Sequence, residues 1–148
     1  MKAVAYVLVS NTSNTILPNT IAVVVVGTNN IRNWLTNLNL GKKSYSECKD
    51  CKVHNGFYNH YSSLKDELDT LVKTARVGRE NWNIIIVGHS LGASSGTLYA
   101  NHLAKTQPSL QSQIYLYTFG SLRVGNEKFA NYTNKLLKTS HIFRVVYK

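Results

Sequence analysis

The sequence predicts an α/β fold in which a mostly parallel sheet is flanked by helices. From residue 57 onward, short apolar segments typical of strands alternate with segments of helical periodicity. Hydrophobic residues make up 43% of the chain and charged residues 16%, so the chain can bury a core. Its 148 residues fit one ordinary domain, which we place at 1–148.

Two β-branched apolar runs, residues 3–9 and 21–26, open the chain. The connection between them is rich in Ser, Asn, Thr and Pro, which predicts a hairpin-like pair with a fully buried second strand. Residues 27–55 are polar and rich in Gly and Asn, so we expect loops there, interrupted by a short amphipathic turn around residues 31–38. The first residues lack the cleavage pattern of a signal peptide and suit a strand, so we identify no targeting segment.

The rest of the chain carries the alternation of helices and strands. Apolar residues recur at helical spacing in some segments, and short β-branched or aromatic runs stand between them. The predicted elements are a helix over 57–76, a strand over 84–87, a helix over 91–105, a strand over 114–119, a helix over 127–138 and a strand over 141–147.

The charge balance is strongly basic, with 17 Lys+Arg against 7 Asp+Glu and a net charge of +10. A basic domain can bind nucleic acid or an anionic interface. Here the cations are scattered, and Lys42-Lys43 is the single adjacent pair, so we favour solubility and expect no nucleic-acid partner. The longest apolar run, Ile21–Val26, is far shorter than the ~20 residues of a membrane-spanning helix.

Two cysteines, Cys48 and Cys51, are separated by two polar residues. A redox pair would sit at a helix start after a strand, whereas the flanks here indicate a loop. A metal site could add His54 and His60, but zinc-finger spacing needs a longer gap before its histidines. We therefore favour a local disulfide, which implies an oxidising compartment, and predict no metal and no cofactor.

One pentapeptide carries the candidate chemistry. Gly88-His89-Ser90-Leu91-Gly92 follows an apolar strand and precedes a helix, which is the setting of a nucleophile elbow. Such a tight turn holds the serine in a strained conformation and leaves no room for a Cβ two residues away on either side. The helix that follows directs its N-terminal N–H groups at the place where an oxyanion would form. Ser90 is therefore the candidate nucleophile.

A second match to the same pattern, Gly92-x-Ser94-x-Gly96, overlaps the first. Ser94 would lie one turn into the helix, with no strand immediately before it. We interpret Ser94 as a packing residue.

Several further segments occur in a fixed order along the chain. They are Val23–Leu35, Val53-His54-x-Gly56-Phe57-Tyr58, Tyr117–Asn126 and Phe143–Val146. Together with Gly88–Gly92 they resemble the fungal-type (class 3) lipases of the α/β-hydrolase fold. The resemblance covers nearly the whole chain.

The resemblance implies roles for particular residues. Ser90 matches the family's nucleophile, Thr28 the residue that supplies an oxyanion-hole N–H and a hydroxyl, and Leu91 the backbone N–H after the nucleophile. Trp34 matches an aromatic residue of a mobile lid, although an amphipathic turn suits a buried anchor equally well. His89 lies on a strand beside the nucleophile, so its side chain points away and we expect it to be structural.

The chain departs from the family pattern in the base and the acid. A serine hydrolase of this fold needs Ser, then Asp or Glu, then His, in that order along the chain. After Ser90 there is no Asp, and Glu127 suits a helix start. Neither His102 nor His141 matches the family's base. The family's Asp follows a segment like Phe143–Val146, so the sequence resembles a lipase domain cut off before its Asp and His.

Three other positions complete this comparison. Val26 stands where the family usually has Arg, and Leu122 stands where it usually has Pro. His54 is expected to be structural.

The resemblance implies a carboxylic-ester hydrolase of the triacylglycerol lipase type, acting on a lipid or ester at an interface in lipid catabolism. Without an Asp and a His, residues 1–148 should be weak or inactive alone. The alternative is a non-catalytic module that binds lipid or a partner through Trp34 and the basic charge. The family's members are commonly secreted, and two sequons, at Asn11 and Asn131, agree with secretion.

Overall fold

Strands and helices alternate along most of the chain in the computed structural model, which describes residues 3–10, 13, 16–27 and 41–146. The strands are β1 (Ala5–Val9), β2 (Thr20–Val25), β3 (Lys42–Ser44), β4 (Lys52–His54), β5 (Asn83–His89), β6 (Ile114–Phe119) and β7 (Ile142–Val145). The helices are α1 (Asn55–Ser62), α2 (Lys65–Ala75), α3 (Leu91–Thr106) and α4 (Glu127–Leu137), with 3₁₀ turns at Pro108–Gln113 and Thr139–His141.

Five strands form the main sheet in the order β1-β2-β5-β6-β7. The pair β1-β2 is antiparallel, and every other neighbouring pair in this sheet is parallel. A short antiparallel pair, β3-β4, makes a second sheet. The α/β fold class is therefore confirmed, with helices following strands as the alternation predicted.

The two faces of the main sheet differ in burial. One face packs against the helices and carries fully or almost fully buried side chains: Ile21, Val23, Val25, Ile84, Ile86, Ile114 and Leu116. The four described helices all lie on this side, α3 against the sheet centre, α2 against β1, α1 against α3, and α4 against α3 beside a cleft that β6 also lines. The prediction that β2 is fully buried is wrong in one respect, because Ala22 and Val24 on its other face are only partly buried.

The opposite face, which we call the open face, carries a row of apolar side chains in register across all five strands. The row consists of Tyr6, Val24, Val87, Tyr117 and Phe143. At the two ends of the row, Tyr6 is 55% exposed and Phe143 is 40% exposed. The rings of Tyr117 and Phe143 stack with centroids 4.5 Å apart.

Two predicted elements were wrong in their boundaries. The helix predicted over 57–76 is two helices, because the chain bends at Ser63 and Leu64, where the Ser63 N–H bonds Asn59 O and the Leu64 N–H bonds Tyr61 O. Tyr61, Leu64 and Leu68 are all buried, so the apolar periodicity runs through the bend without marking it. The loop predicted over 27–55 contains β3 and β4, whose three-residue strands are too short to show an alternation. The amphipathic turn around 31–38 lies outside the described residues.

The predicted disulfide between Cys48 and Cys51 is confirmed, and it closes the connection between β3 and β4. Asn126 ties this hairpin to the start of α4. Its side chain accepts hydrogen bonds from the Lys52 and Phe129 N–H groups at 3.1 and 3.0 Å and donates to Asp50 O at 2.9 Å. The segment between β6 and α4 is thereby anchored at its far end.

Candidate active site

Ser90 occupies the corner between β5 and α3. Its backbone has φ 54° and ψ −118°, in a region that costs a non-glycine residue about 1–3 kcal/mol. The Ser90 N–H donates to Phe119 O at 2.9 Å, and Ser90 O accepts from the Ser94 N–H at 3.2 Å to begin α3. The corner is thus held by β6 on one side and by the first helical turn on the other.

Three glycines allow the backbone segments at this corner to touch. A Cβ at Gly88 would lie 2.5 Å from the carbonyl carbon and oxygen of Gly92, and a Cβ at Gly92 would lie 2.1 Å from Val25 O. A Cβ at Gly27 would lie 2.6 Å from His89 O. These distances are far inside van der Waals contact, so the steric expectation for Gly88 and Gly92 is confirmed.

The first turn of α3 gives the corner a partial positive charge. The helix is 16 residues long, and its first turn contains no acidic residue. As the first helical residue, Leu91 has a backbone N–H without an intrahelical acceptor, and the helix dipole adds partial positive charge there. The Leu91 side chain is 1% exposed, so the residue is fixed in the core while its N–H lies at the corner.

Ser94, in the overlapping pentapeptide, has a different environment. It is fully buried, and its hydroxyl donates to Ser90 O at 3.4 Å, one turn back along the helix. Its Gly96 neighbour has clearance, since a Cβ there would meet Ile86 Cγ2 at 3.4 Å.

His89 precedes Ser90, and its side chain lies on the open face of the sheet. In register, His89 pairs with Phe119 and follows Val87 by two residues, so these three side chains share that face. His89 is exposed, and its Nε2 would lie 3.3 Å from a Cβ at Gly120. The expectation that His89 points away from the corner agrees with this position.

The other four histidines each have a partner elsewhere. His54 Nδ1 accepts from the Gly56 N–H at 3.4 Å at the start of α1, and His60 Nδ1 lies 2.9 Å from Ser95 Oγ. His102 Nε2 lies 2.8 Å from Asp69 Oδ2, and His141 Nδ1 lies 3.1 Å from Ile114 O. Among residues 41–146, no hydrogen bond joins a histidine ring to Ser90.

Burial lowers the pKa of His60 below its ordinary value, because the charged ring loses water in the core. The pKa of His54 is also lowered, first by burial and then by the nearby Lys42. Both rings therefore favour the neutral form. The expectation that His54 is structural agrees with its place at the helix start.

A profile comparison decides the family, since residues 22–148 match the profile of lipase (class 3). The chain belongs to the class 3 lipases. This confirms the resemblance that the ordered motifs indicated.

Curated relatives agree with this assignment. A secreted mono- and diacylglycerol lipase from Fusarium solani is 35% identical over 127 residues, which cover 86% of the chain and 36% of the relative. A lipase from Rhizomucor miehei is 36% identical over 114 residues, which cover 76% of the chain and 31% of the relative. The chain thus spans about a third of the length of these relatives.

Solved structures match nearly the whole fold. Lipase II from Rhizopus niveus has a TM-score of 0.86 and 29% identity, over 97% of this chain and 52% of that one. A triacylglycerol lipase described as having a serine protease triad at its catalytic centre has a TM-score of 0.79 and 34% identity, over 86% of this chain and 48% of that one. The main sheet of this class 3 lipase is therefore that of an α/β-hydrolase.

Two residues assigned from the class 3 lipases, Thr28 and Trp34, lie outside the described residues. The chain just before Thr28 is described, and it runs against the corner, because Gly27 packs on the His89 carbonyl and a Cβ at Gly92 would lie 2.9 Å from Gly27 N. Glu127 is the first residue of α4 and is exposed, which fits the predicted helix start.

The sequence interpretation missed an acid–base contact between α2 and α3. Asp69 and His102 are 33 residues apart, and no local pattern marks them as partners. The pair is partly buried: the Asp69 side chain is 35% exposed and the His102 side chain is 14% exposed. Sequence spacing alone could not find it, because the contact depends on how α2 and α3 cross.

A cleft of about 660 Å³ lies between α4 and the ends of β6 and β7. Thr118, Ser121, Phe129 and Arg144 are among its lining residues, and Arg144 Nη2 donates to Ser121 O at 3.0 Å. Within the described ranges, no three His, Cys, Asp or Glu side chains are grouped to hold a metal ion. The described helices include none long and apolar enough to span a membrane.

Proposed function

We propose that the protein is a carboxylic-ester hydrolase of the triacylglycerol lipase type, with Ser90 as its nucleophile. The observation that carries this proposal is the strained backbone of Ser90 at a corner where Gly88 and Gly92 bring strand and helix into backbone contact. Strain of this kind persists where the surrounding structure overdetermines it, and it is common at active sites. Family membership supports the same residue.

In the proposed reaction, Ser90 Oγ attacks the carbonyl carbon of an ester while its proton passes to a base. The negative oxygen of the tetrahedral intermediate is stabilised by the Leu91 N–H and by the N–H and hydroxyl of Thr28. The carbon–oxygen bond to the alcohol then breaks, and the alcohol leaves with a proton. Water hydrolyses the acyl-enzyme in the reverse sequence of proton transfers and releases the carboxylic acid.

Among the described residues, none that forms a hydrogen bond with Ser90 can act as the base of this reaction or as the acid that orients the base. The histidines of the described part are bonded elsewhere or face away from the corner. Loss of triad members costs on the order of 10⁴–10⁶ in rate, which leaves the contribution of the oxyanion hole and of binding. Residues 1–148 alone should therefore acylate slowly.

The relatives support a substrate class and a location for this proposal. Those named as mono- and diacylglycerol lipases or as triacylglycerol lipases support an acylglycerol substrate presented at a lipid interface. The relative named as secreted, together with the Cys48–Cys51 disulfide, supports an extracellular location. No cofactor takes part in the proposed steps. We place the whole of 1–148 in one lipase-like domain.

A second candidate function, a non-catalytic lipid-binding module, is favoured by the open face. Tyr6 and Leu8 are each 55% exposed on it, and exposed apolar patches commonly mark interaction surfaces. The charge of +10 would add attraction to anionic lipid. This module would bind vesicles without chemistry at Ser90.

The experiment that separates the two is labelling with a fluorophosphonate, whose phosphorus is attacked by an activated serine. We expect slow labelling that maps to Ser90 by mass spectrometry, and faster labelling when imidazole is added to act as the base. Ser90→Ala should abolish the label. A folded chain that never labels at Ser90, with or without imidazole, and that binds anionic vesicles would establish the module instead.

A further inference from the structure

The sequon Asn131-Tyr132-Thr133 lies inside α4, an element that the proposed reaction does not use. Asn131 is exposed, whereas Phe129 and Thr133, two residues away on either side, are buried. Successive residues of an α-helix are rotated by about 100°, so Asn131 lies about 160° around the helix from both. The asparagine therefore faces solvent while the threonine of the same sequon faces the core.

The Thr133 hydroxyl is fully engaged in the folded protein. It donates to Phe129 O at 3.0 Å and accepts from Asn101 Nδ2 at 2.7 Å, and the residue is 6% exposed. The bond to Asn101 joins α4 to α3. This role explains a buried threonine at position 133 whether or not the sequon is used.

We propose that Asn131 is an N-glycosylation site that must be filled before α4 folds. A glycosyl transferase has to engage the Asn amide and the Thr hydroxyl together, since both define the acceptor. In the folded helix the two side chains lie on opposite sides and the hydroxyl is in the core. In an unfolded chain both are accessible, so transfer and helix formation compete for the same residues.

The reaction takes its sugar from a lipid-linked oligosaccharide pyrophosphate in the secretory pathway. The Asn131 Nδ2 forms a bond to the anomeric carbon as the bond from that carbon to the pyrophosphate oxygen breaks. The lipid pyrophosphate leaves, and the amide nitrogen loses one proton to a base of the transferase. No oxidation or reduction is involved.

The folded structure accommodates the product. Asn131 makes no side-chain hydrogen bond to another described residue, and a glycan there projects from the side of α4 opposite its buried residues. The core contacts of Phe129 and Thr133 are left intact. Glycosylation adds bulk and solubility to this surface without displacing a buried group.

This inference rests on the secretory route included in the proposed function, and the experiment imposes that route. The whole chain, fused to a signal peptide from another protein, is translated in the presence of microsomes. The background carries Asn11→Gln, so that the sequon at Asn131 is the one that remains. We expect one endoglycosidase-sensitive shift on a gel, lost in Asn131→Gln and retained in Thr133→Ser.

Asn134→Gln is the matched control, because Asn134 is exposed on the same helix and belongs to no sequon. It should keep the shift. Absence of a shift in the Asn11→Gln chain, or its persistence in Asn131→Gln, would overturn the site. Ser90→Ala should also keep the shift, so failure of the proposed enzyme and failure of this site are separable.

The timing is tested with purified protein and solubilised transferase. The refolded chain should accept glycan at least about tenfold more slowly than the unfolded chain, because the helix must open before the sequon is accessible. Phe129→Ala, which removes a buried anchor of α4, should narrow that difference. Equal rates for the folded and unfolded chains would overturn the requirement for transfer before folding.

Discussion

Two overlapping regions of this class 3 lipase match the same pentapeptide pattern but have different structures. In residues 88–92 the serine stands at a strand–helix corner with φ 54°, and both flanking glycines are in backbone contact with other segments. In residues 92–96 the serine is a fully buried helical residue, and the second glycine has room for a Cβ. Only the first has the strained serine and the close backbone contacts that we expected of a nucleophile elbow.

The difference shows that the pentapeptide forms a strand–helix corner only where a strand comes directly before it. The central strand β5 ends at Ser90, and the corner places the first helical N–H groups, which have no intrahelical acceptor, beside this serine. At Ser94 the helix is already formed, so its N–H groups are paired. Three substitutions, each made at the equivalent position of both regions, can test this comparison.

The largest effect is expected from Ser→Ala at the two serines. Ser90→Ala should reduce fluorophosphonate labelling and ester hydrolysis to background, because it removes the attacking oxygen. Ser94→Ala should leave the labelling rate within about twofold, because it removes only a long hydrogen bond to Ser90 O, which still accepts from the Ser94 N–H. Labelling rates by mass spectrometry check both. Equal loss in the two variants would end the distinction between the regions.

The next largest effect, a change in the free energy of unfolding, is expected from Gly→Ala at positions 92 and 96. Gly92→Ala places a Cβ 2.1 Å from Val25 O, which should lower the free energy of unfolding by several kcal/mol or prevent folding, on the order of other overpacking changes. Gly96→Ala meets only ordinary contact at Ile86, and the higher helix propensity of Ala should stabilise by up to about 1 kcal/mol.

Urea unfolding and soluble yield are the measurements for this pair. A Gly92→Ala chain as stable as the unmodified protein would show that the backbone contact is not tight. A marked loss of stability in Gly96→Ala would show that the helix also needs a glycine at position 96.

Ser→Gly at the same two serines should change stability in opposite directions. Ser90→Gly removes the strain of a non-glycine residue at φ 54°, so the free energy of unfolding should rise by about 1 kcal/mol while labelling is lost. Ser94→Gly places a poor helix former in a helix interior, so the free energy of unfolding should fall by about 0.5–1 kcal/mol. Thermal and urea unfolding of both variants give the signs, and a loss of stability in Ser90→Gly would contradict strain at the corner.

The smallest effect concerns acid stability through His60, which contacts Ser95 in the second region. Its pKa is lowered by burial, so the unfolded chain binds a proton more readily than the folded one below the ordinary value of 6.5. The contribution of His60 to the free energy of unfolding should be complete above that pH and be lost as the pH drops below it.

His60→Gln keeps a hydrogen-bonding partner for Ser95 and removes the titration. Its stability should therefore fall less steeply between pH 6.5 and pH 4.5 than that of the unmodified chain. The contribution of His54, whose pKa is also lowered, should persist in the variant. Identical pH dependence in the two proteins would show that His60 is not the source.

Local patterns predicted the regular elements well where the elements were long or sharply bounded. The corner at Ser90, the strands β5 and β6, and the helices α3 and α4 were all found from apolar runs and small residues. The bend between α1 and α2 was not, because Tyr61, Leu64 and Leu68 are buried on both sides of it. Periodicity reports burial, and burial continues through the bend.

The sequence by itself determined the α/β fold, the family and the candidate serine, since these depend on alternating segments, motifs in a fixed order and one pentapeptide. Tertiary structure alone decided which contacts cross between distant segments. It brought Asp69 to His102, placed the Thr133 hydroxyl against Asn101 and lined up Tyr6, Val24, Val87, Tyr117 and Phe143 across five strands. The physical reason is that strand register and helix crossing are set by packing of the whole core, which no local segment encodes.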